Sequence, residues 1–334
     1  MENKEEILWH NLKNKSILIT GASGLIGSRL IEKIIEKNRE LGTNIKIFAL
    51  GRVQKKIEDK IGIYSKNKNF KIIEHDIILP FYIEEEIDYI VHAASNADPI
   101  KFSLDPTGTM EANFIGMRNI LNFFKGKKTK ILYISTGEVY GEWDGKVEAF
   151  DEEYIGKINL LDARSCYPMS KRATETLCIS YIKQFKMDVV IARPCHIYGP
   201  TLQHDDSRFF AQVLRNVLNK EAIILKSAGE QKRSYCYVDD AVMALFYILI
   251  FGERGQAYNI ANKNSNLKIK EIAEFLSKMY KLDLKYEVPE EKEKEGYSKI
   301  QQAVLNSKKL EKLGWQSKIS FEDGIKKCID KLQK

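Results

Sequence analysis

The sequence lacks several features that would mark other classes of protein. Its longest apolar run, Ala241 to Phe251, is shorter than the roughly 18–20 residues that a membrane span needs. Its five cysteines form no CxxC pair and no signal-peptide pattern is present, so reduced thiols and a cytoplasmic location are expected. No residue spacing suits a zinc site, and no order of Ser, His and Asp suggests a hydrolase, so no metal is expected. Neither an internal repeat nor a low-complexity linker is present.

The positive charge is spread along the chain rather than concentrated. The 334 residues carry a net charge of +7, and the lysines form no basic block. This distribution gives nucleic-acid binding weak support, whereas a basic surface would suit an anionic small substrate. The length favours two domains, or one large domain with an appended lobe.

A strand, a glycine-rich turn and a helix follow one another near the start. Residues 1–15 are polar and predict a leading helix or arm. Ser16 to Thr20 is a short apolar run typical of a buried strand, and a helical pattern extends from Leu25 to about Lys37. Glycines let the backbone approach a pyrophosphate, and a helix N-terminus favours its charge. We therefore predict a nucleotide-binding turn, against the alternative of a plain tight turn, at Gly21, Ser23, Gly24, Leu25, Ile26 and Gly27.

Further apolar runs alternate with helical patterns. Such alternation predicts a parallel, doubly wound sheet, in which ligands bind at the carboxyl ends of the strands. A long helix is expected from Pro106 to Phe124. The later strands are expected at Ile45 to Leu50, Lys71 to Glu74, Tyr89 onward, Lys130 to Ser135 and Met187 to Arg193.

The residues after the second, third and fourth strands bear on the cofactor. Arg52 stands where an acidic residue would bind the ribose of NAD; it could accept the 2′-phosphate of NADP or be solvated. Asp76 could cap a turn or bind an adenine amino group. The small residues Ala93, Ala94 and Ser95 would allow a flat cofactor to approach, although a tight strand–helix junction would look the same.

The fifth strand and the helix after it carry the candidate chemistry. Thr136 and Glu138 lie at the strand edge where ligands bind, although such residues also form ordinary turns. Tyr167 and Lys171 share one helix face if Pro168 is the first helical residue. A lysine ammonium would lower the tyrosine pKa from about 10 and make it a base for an alcohol. An isolated YxxxK is more often part of a surface helix.

The rest of the chain predicts further elements. His196 alone would more often be structural than catalytic, and Asp239 or Asp240 can cap the apolar helix that follows. The charged stretch Pro289 to Lys294 is interpreted as a solvated loop. Helices are expected at Arg208 to Asn219, Ile269 to Tyr280 and Phe321 to Lys331, and a strand at Ile223 to Leu225.

Five motifs together resemble the extended short-chain dehydrogenase/reductase family that modifies nucleotide sugars. They are GASGLIG, HAAS, STGEVYG, YPMSK and RPCHIYGP, in the family's order, and the resemblance covers about residues 14–262. The UDP-glucuronate decarboxylases are the members it resembles most, through ARSCYPMSKRATETL, the segment from His204 to Arg208, and KRSYCYVDD.

The resemblance implies a Rossmann-type parallel sheet and a smaller C-terminal α/β lobe. Residues 1–194 with about 238–262 would bind NAD, and about 195–237 with 263–334 would bind the nucleotide sugar, favoured as a UDP-sugar. Family members commonly dimerise through two helices of each subunit, here near residues 106–124 and 168–185.

The resemblance also implies residue roles. Tyr167 would be the base, supported by Lys171, with Ser135 or Thr136 on the sugar's 4-hydroxyl and Glu138 acting at C5. The remaining cofactor contacts would be the glycine turn, Asp76, Ile77, Ala93, Ala94, Ser95 and Pro194, and the remaining substrate contacts His196, Arg208 and Arg233.

The sequence departs from the family's pattern at three places, and the exact reaction stays open. Gly137 replaces the aspartate of many 4,6-dehydratases, His196 replaces an asparagine, and the acidic residue after the second strand is missing. The favoured reaction is oxidation at C4 followed by decarboxylation or dehydration with NAD as the cofactor. The alternatives are a 4-epimerase, an NADP-dependent 4-keto-sugar reductase favoured by Arg52, and a non-catalytic nucleotide-binding protein.

Overall fold

A computed structural model describes residues 3–62, 67–80, 82–200, 208–288 and 300–333. The strands are β1 Ser16–Thr20, β2 Lys46–Gly51, β3 Phe70–Glu74, β4 Tyr89–His92, β5 Lys130–Ile134, β6 Asp188–Pro194, β7 His196–Tyr198, β8 Ile223–Leu225, β9 Lys232–Tyr237, β10 Ala257–Ile260, β11 Asn266–Lys268, β12 Leu284–Tyr286 and β13 Gln302–Ala303. The helices are α1 Lys4–Leu12, α2 Leu25–Leu41, α3 Gln54–Ile61, α4 Pro99–Leu104, α5 Pro106–Phe124, α6 Cys166–Phe185, α7 Phe209–Asn219, α8 Val238–Phe251, α9 Ile269–Tyr280, α10 Lys308–Lys312 and α11 Phe321–Leu332.

Seven strands form one parallel sheet in the order β10-β6-β5-β4-β1-β2-β3. Every neighbouring pair is parallel, and β1 lies between β2 and β4. All five residues of β1 are buried, as expected where helices cover both faces of a sheet. The predicted Rossmann-type α/β fold is confirmed.

The alternation of side chains along β1 divides the core between two helical layers. Ile17 and Ile19 pack in the cluster that contains the buried residues of α2 and α8, whereas Leu18 packs in the cluster of α5 and α6. Helix α5 packs directly on α6, and α2 on α8. The layer of α5 and α6 places Tyr167 and Lys171 against the carboxyl end of β5.

A second set of strands lies outside this sheet and consists of β7, β8, β9, β11, β12 and β13. Strand β9 pairs in parallel with β7 and β13 and antiparallel with β11, while β8 pairs with β12. Tyr198, Phe210, Tyr235 and Phe321 form an aromatic cluster that joins β7 and β9 to α7 and α11. This packing holds Arg233 of β9 at the same side of the molecule as β5.

Some predicted helix starts and capping residues were wrong. Pro168 is the third residue of α6 rather than the first, a position that still lies in the first turn, where a missing N–H breaks no helical hydrogen bond. Tyr237, not Asp239 or Asp240, is the N-cap of α8. Asp239 instead pairs with Arg29, and Asp240 accepts the N–H groups of Lys318 and Ile319.

Most other bounds agree with the predictions to within a few residues, and α5, α9 and β8 match them throughout. Helix α2 runs to Leu41, beyond the expected end near Lys37. The segment 289–294 lies outside the described residues. Within the part of the chain that the structure describes, no helix is both long and apolar enough to cross a membrane.

Candidate active site

The glycine turn between β1 and α2 lies close against the loop after β4. Gly21 has a φ of +67°, and a Cβ on it would lie 2.7 Å from the carbonyl oxygen of Ala93. A Cβ on Gly27 would lie 2.2 Å from the Gly21 oxygen. Gly24 is the N-cap of α2, and no side chain of the described residues caps this helix. The turn therefore combines bare backbone with a helix N-terminus, the arrangement that fits a pyrophosphate.

A chain of hydrogen bonds supports the floor of this region. The Thr20 hydroxyl lies 2.8 Å from Nδ1 of the buried His92 and accepts the Ala94 N–H. Ser95 donates to Oδ1 of Asn113 at 2.7 Å, and Nδ2 of Asn113 donates to Ser170 at 2.9 Å. These bonds link β1 and β4 to α5 and α6, so the cofactor turn and the helix of Tyr167 are held in one frame.

The other predicted cofactor residues occupy the strand ends. Arg52 follows β2 and is exposed. Asp76 accepts the N–H of Ile78 at 3.2 Å and so performs the turn-capping role. Ile77 is buried against Gly116, where a Cβ would come within 2.8 Å of it. Pro194 ends β6 opposite Ile260 of β10.

Tyr167 and Lys171 are both buried in the first turns of α6. The Tyr167 ring stacks on Phe102 with centroids 5.2 Å apart and planes within 6°. Lys171 Nζ donates to the Ile134 carbonyl at 2.8 Å and lies 5.9 Å from the centroid of the Tyr167 ring. The two side chains share one helix face, as the spacing predicted.

The expected effect of Lys171 on the pKa of Tyr167 is not what the structure shows. Burial raises the pKa of Tyr167 above its usual value, and the charge of Glu138 adds to the rise. A hydrogen bond with Thr136 and the charges of Arg208 and Arg164 oppose it. Burial also lowers the pKa of Lys171 to about 7, which weakens the positive charge that it brings to Tyr167 at neutral pH.

Ser135 and Thr136 bring hydroxyl groups to the end of β5, beside Tyr167. Ser135 is 3% exposed, and its hydroxyl is buried without a hydrogen-bond partner among the described residues. Thr136 accepts the N–H of Glu138 at 3.2 Å and hydrogen-bonds Tyr167. An unpartnered buried hydroxyl costs free energy unless a ligand pairs with it, so Ser135 is a natural contact for a bound oxygen.

Glu138 is held by an arginine that the sequence analysis did not single out. Arg164 Nη1 lies 3.0 Å from one carboxylate oxygen, and Nη2 lies 3.5 Å from the other. The guanidinium sits 5.4 Å from the centroid of the Phe102 ring. The sequence feature that could have identified Arg164 is its position three residues before Tyr167 in ARSCYPMSK. Phe102 has no such feature, because it reaches the site from α4.

The predicted substrate residues converge on the same place from the second set of strands. Arg233 is 5% exposed and donates to the carbonyls of Lys232 and Ile300. Although His196 as a whole residue is exposed, desolvation by the surrounding protein and then the charges of Arg233 and Arg208 lower its pKa to about 3. Arg208 is the N-cap residue of α7. The segment 204–207 lies outside the described residues.

Comparisons with known proteins agree with this geometry. UDP-glucuronic acid decarboxylase 6 from Arabidopsis thaliana is 32% identical over 312 residues, which cover 93% of this chain and 87% of that relative. A solved dTDP-glucose 4,6-dehydratase from Bacillus anthracis, in complex with NAD, has a TM-score of 0.80 and 22% identity and covers 96% of each chain.

A third relative catalyses another reaction on the same fold. The UDP-glucuronic acid 4-epimerase from Bacillus cereus, solved in complex with UDP-glucuronic acid and NAD, has a TM-score of 0.78 and 23% identity. The match covers 95% of this chain and 99% of that one. Residues 17–261 match the NAD dependent epimerase/dehydratase family. The chain therefore belongs to that family of enzymes, as its five motifs predicted.

Proposed function

We propose that this chain oxidises C4 of UDP-glucuronate and then removes the sugar's carboxylate as carbon dioxide. The observation that carries the proposal is the meeting of Tyr167, Thr136, Ser135 and Glu138 at the end of β5, where the Ser135 hydroxyl has no partner among the residues described. The identity with a UDP-glucuronic acid decarboxylase over nearly the whole chain supports the choice of substrate.

The residues at the carboxyl ends of β1 to β4 fit NAD. The turn at Gly21, Gly24 and Gly27 would hold the pyrophosphate, Ala93 to Ser95 would line the flat face, and Asp76 and Ile77 would lie near the adenine. When bound, NAD supplies a hydride acceptor for C4 of the sugar and a donor for the reverse transfer. The exposed Arg52 leaves room for NADP as the alternative.

Tyr167 would take the proton of the 4-hydroxyl. Its hydrogen bond with Thr136 and the nearby charges of Arg208 and Arg164 favour the phenolate, against the effect of burial. Ser135 would hydrogen-bond the sugar's O4 and hold it in place. A base that is buried and hydrogen-bonded in this way can transfer a proton without first displacing water.

The later step occurs at C5. A ketone at C4 makes the C5 carboxylate part of a β-keto acid; its C–C bond breaks, carbon dioxide leaves, and the electrons remain at C5 as an enolate. A proton, ultimately from solvent, then bonds to C5. Glu138 follows Thr136 by two residues in the same turn, so it would face C5 and relay that proton.

The space at Gly137 favours decarboxylation over dehydration. A Cβ there would lie 3.1 Å from a methyl carbon of Leu305 and 3.4 Å from the Pro194 carbonyl oxygen. The aspartate that many dehydratases carry at this place would need Leu305 to move. A dehydratase using Glu138 alone is the second candidate function, supported by the fold shared with the 4,6-dehydratase.

Arg233, Arg208 and His196 would bind the diphosphate. Arg233 is held by the Lys232 and Ile300 carbonyls, so its planar guanidinium is fixed before a ligand arrives. His196 would contribute as a neutral hydrogen-bonding ring, because its pKa is low.

A panel of nucleotide sugars tests the proposal. The purified protein is denatured and the supernatant is analysed for NAD and NADP, and the native protein is incubated with UDP-, GDP-, CDP- and dTDP-sugars. We expect NAD and a UDP-glucuronate product lighter by carbon dioxide. A product lighter by water would support the dehydratase, an isomer of unchanged mass would support a 4-epimerase, and NADP alone would contradict the proposal.

The variant Tyr167→Phe tests the assigned base. It should lose about 10²- to 10⁴-fold in turnover because proton transfer is lost, while nucleotide remains bound. Turnover is measured with UDP-glucuronate, and retention of cofactor by mass spectrometry of the denatured supernatant. A wild-type rate in this variant would refute the assignment.

We also propose that the protein is a cytoplasmic homodimer with the two lobes predicted from the sequence. Met110 on α5 and Ile179 on α6 are exposed apolar residues on the helices expected to form a four-helix interface. The five free cysteines suit a reducing compartment. Light scattering coupled to size exclusion tests the dimer, and Met110→Glu should shift it toward the monomer.

A further inference from the structure

Arg164 holds Glu138 but retains capacity for another hydrogen bond. Nη1 and Nη2 face the two Glu138 oxygens, whereas Nε is buried and has no partner among the described residues. Phe102 flanks the guanidinium on another side. The Asp162 side chain accepts the backbone N–H of Arg164 at 3.0 Å and so holds the main chain that carries this side chain. Such an arginine is prepared for a second planar anion.

Glu138 creates a problem for an acidic sugar. If O4 of the sugar lies at Tyr167 and Thr136, the carboxylate lies next to Glu138, because C5 is bonded to both C4 and the carboxylate carbon. Two carboxylates in one partly buried site repel each other strongly. Glu138 is only partly exposed, so solvent screens it incompletely. A positively charged side chain must therefore lie beside the two carboxylates when the acidic sugar is bound.

We propose that Arg164 is the residue that admits a C5 carboxylate, and that it therefore sets the preference for acidic over neutral sugar nucleotides. It neutralises Glu138 and shares its guanidinium with the carboxylate of the sugar. This inference rests on the proposed function and adds to it the group that recognises the acid. Arg233 and Arg208 also bring positive charge to the site and would bind the diphosphate, as proposed above.

The arrangement suits arginine more than lysine. One guanidinium can face two carboxylates with different N–H groups, whereas an ammonium is a point charge without a fixed plane. The partners of the Arg164 guanidinium also come from two elements, α4 and the turn after β5. A lysine would keep the charge and lose this directed contact.

The test compares two ligands that differ only at the carboxylate. Binding of UDP-glucuronate and UDP-glucose is measured by calorimetry on Tyr167→Phe protein that holds its own cofactor, so that the ligand is not converted, and on the same protein with Arg164→Gln or Arg164→Lys added. Arg164→Gln should weaken UDP-glucuronate by about ten- to a hundredfold, the range of a charge-assisted hydrogen bond, and change UDP-glucose by less than about threefold. Arg164→Lys should recover part of the loss for UDP-glucuronate alone.

Two controls separate this role from a merely structural one. Arg254→Gln removes the same charge from an exposed turn at the opposite end of the sheet and should leave both affinities unchanged. Glu138→Gln added to Arg164→Gln should restore part of the UDP-glucuronate affinity, because the repelling charge is gone.

The outcomes distinguish this inference from the proposed function. Equal losses of affinity for the two ligands in both Arg164 variants, or no loss at all, would overturn the inference. The proposed function would stand in that case if wild type converts UDP-glucuronate. If Arg164→Gln does not fold, Arg164→Lys decides by the same ratio of affinities. A wild type that binds UDP-glucose but not UDP-glucuronate would refute the proposed function itself.

Discussion

Two arginine–glutamate pairs flank helix α6, and they look alike in isolation. In one, Arg193 of β6 contacts both oxygens of Glu175, at 3.0 and 2.6 Å. In the other, Arg164 contacts both oxygens of Glu138, at 3.0 and 3.5 Å. The arginine side chains are equally exposed, at 15% each.

The pairs differ in what surrounds them. All three nitrogens of Arg193 have partners, since Nη1 also donates to the Tyr140 hydroxyl and the Glu152 carbonyl. Nε of Arg164 has no partner in the part of the chain that the structure describes, and Glu138 is twice as exposed as Glu175, at 23% against 11%. We call the Arg193–Glu175 pair closed, because every nitrogen of its guanidinium has a partner, and the Arg164–Glu138 pair open. The closed pair holds β6 to α6, whereas the open pair can still accept a ligand. The two pairs are therefore distinguished by whether every N–H donor of the arginine has a partner, and not by the ion pair itself.

The largest expected effect comes from breaking the closed pair. Arg193→Met should lower the free energy of unfolding by about 3–5 kcal/mol, because Glu175 would be left as a buried charge without its partner. Urea denaturation measures this change. Glu175→Met added to Arg193→Met should recover part of the loss. A loss below about 1 kcal/mol in the single variant would show that the closed pair is not a structural support.

Lys171, on the same helix, is more deeply buried than either arginine, and its hydrogen-bond partner is the Ile134 carbonyl rather than a carboxylate. Burial lowers its pKa from 10.5 to about 7, with the charge of Glu175 opposing the fall. The unfolded chain therefore binds the proton more tightly, and this group's penalty is complete below pH 7 and disappears as the pH rises toward 10.5.

Lys171→Met should consequently stabilise the protein while abolishing turnover. We expect a gain on the order of 3 kcal/mol at pH 6, measured without added nucleotide, after the lost hydrogen bond is subtracted. The gain should shrink as the pH rises from 7 to 10. A variant that is less stable than wild type at pH 6 would show that Lys171 is a satisfied charge like Arg193.

The smallest change in stability is expected at the open pair. Arg164→Gln should alter the free energy of unfolding by no more than about 1 kcal/mol, the usual range for a partly exposed pair. The same substitution should nevertheless cause a large loss of affinity for UDP-glucuronate. A loss of stability that matches Arg193→Met would contradict the distinction between the two pairs.

The elements of the fold were predictable because they depend on local patterns. The strand, glycine turn and helix at residues 16–27 follow from apolar runs and from the positions of Gly21 and Gly27. Helix α5 agreed at both ends, and its start carries the expected signals, since Asp105 caps it and Pro106 is its first residue. Asp239 and Asp240 were misassigned because their partners, Arg29, Lys318 and Ile319, lie far away in the sequence.

The candidate site was predictable residue by residue but not in its electrostatics. Tyr167, Lys171, Thr136 and Glu138 were found from their motifs. The contact of Arg164 with Glu138 and the stacking of Phe102 on Tyr167 join separate segments, so no pattern of spacing reveals them. The raised pKa of Tyr167 depends on how deeply the ring is buried, which becomes measurable only in the folded chain.

The most direct test of the central claim is the conversion of UDP-glucuronate in heavy water, followed by mass spectrometry and NMR of the product. We predict a product that has lost carbon dioxide and carries solvent deuterium at C5, since the leaving carboxylate is replaced by a proton from solvent. A product that has lost water, or an isomer with the carboxylate intact, would contradict the claim.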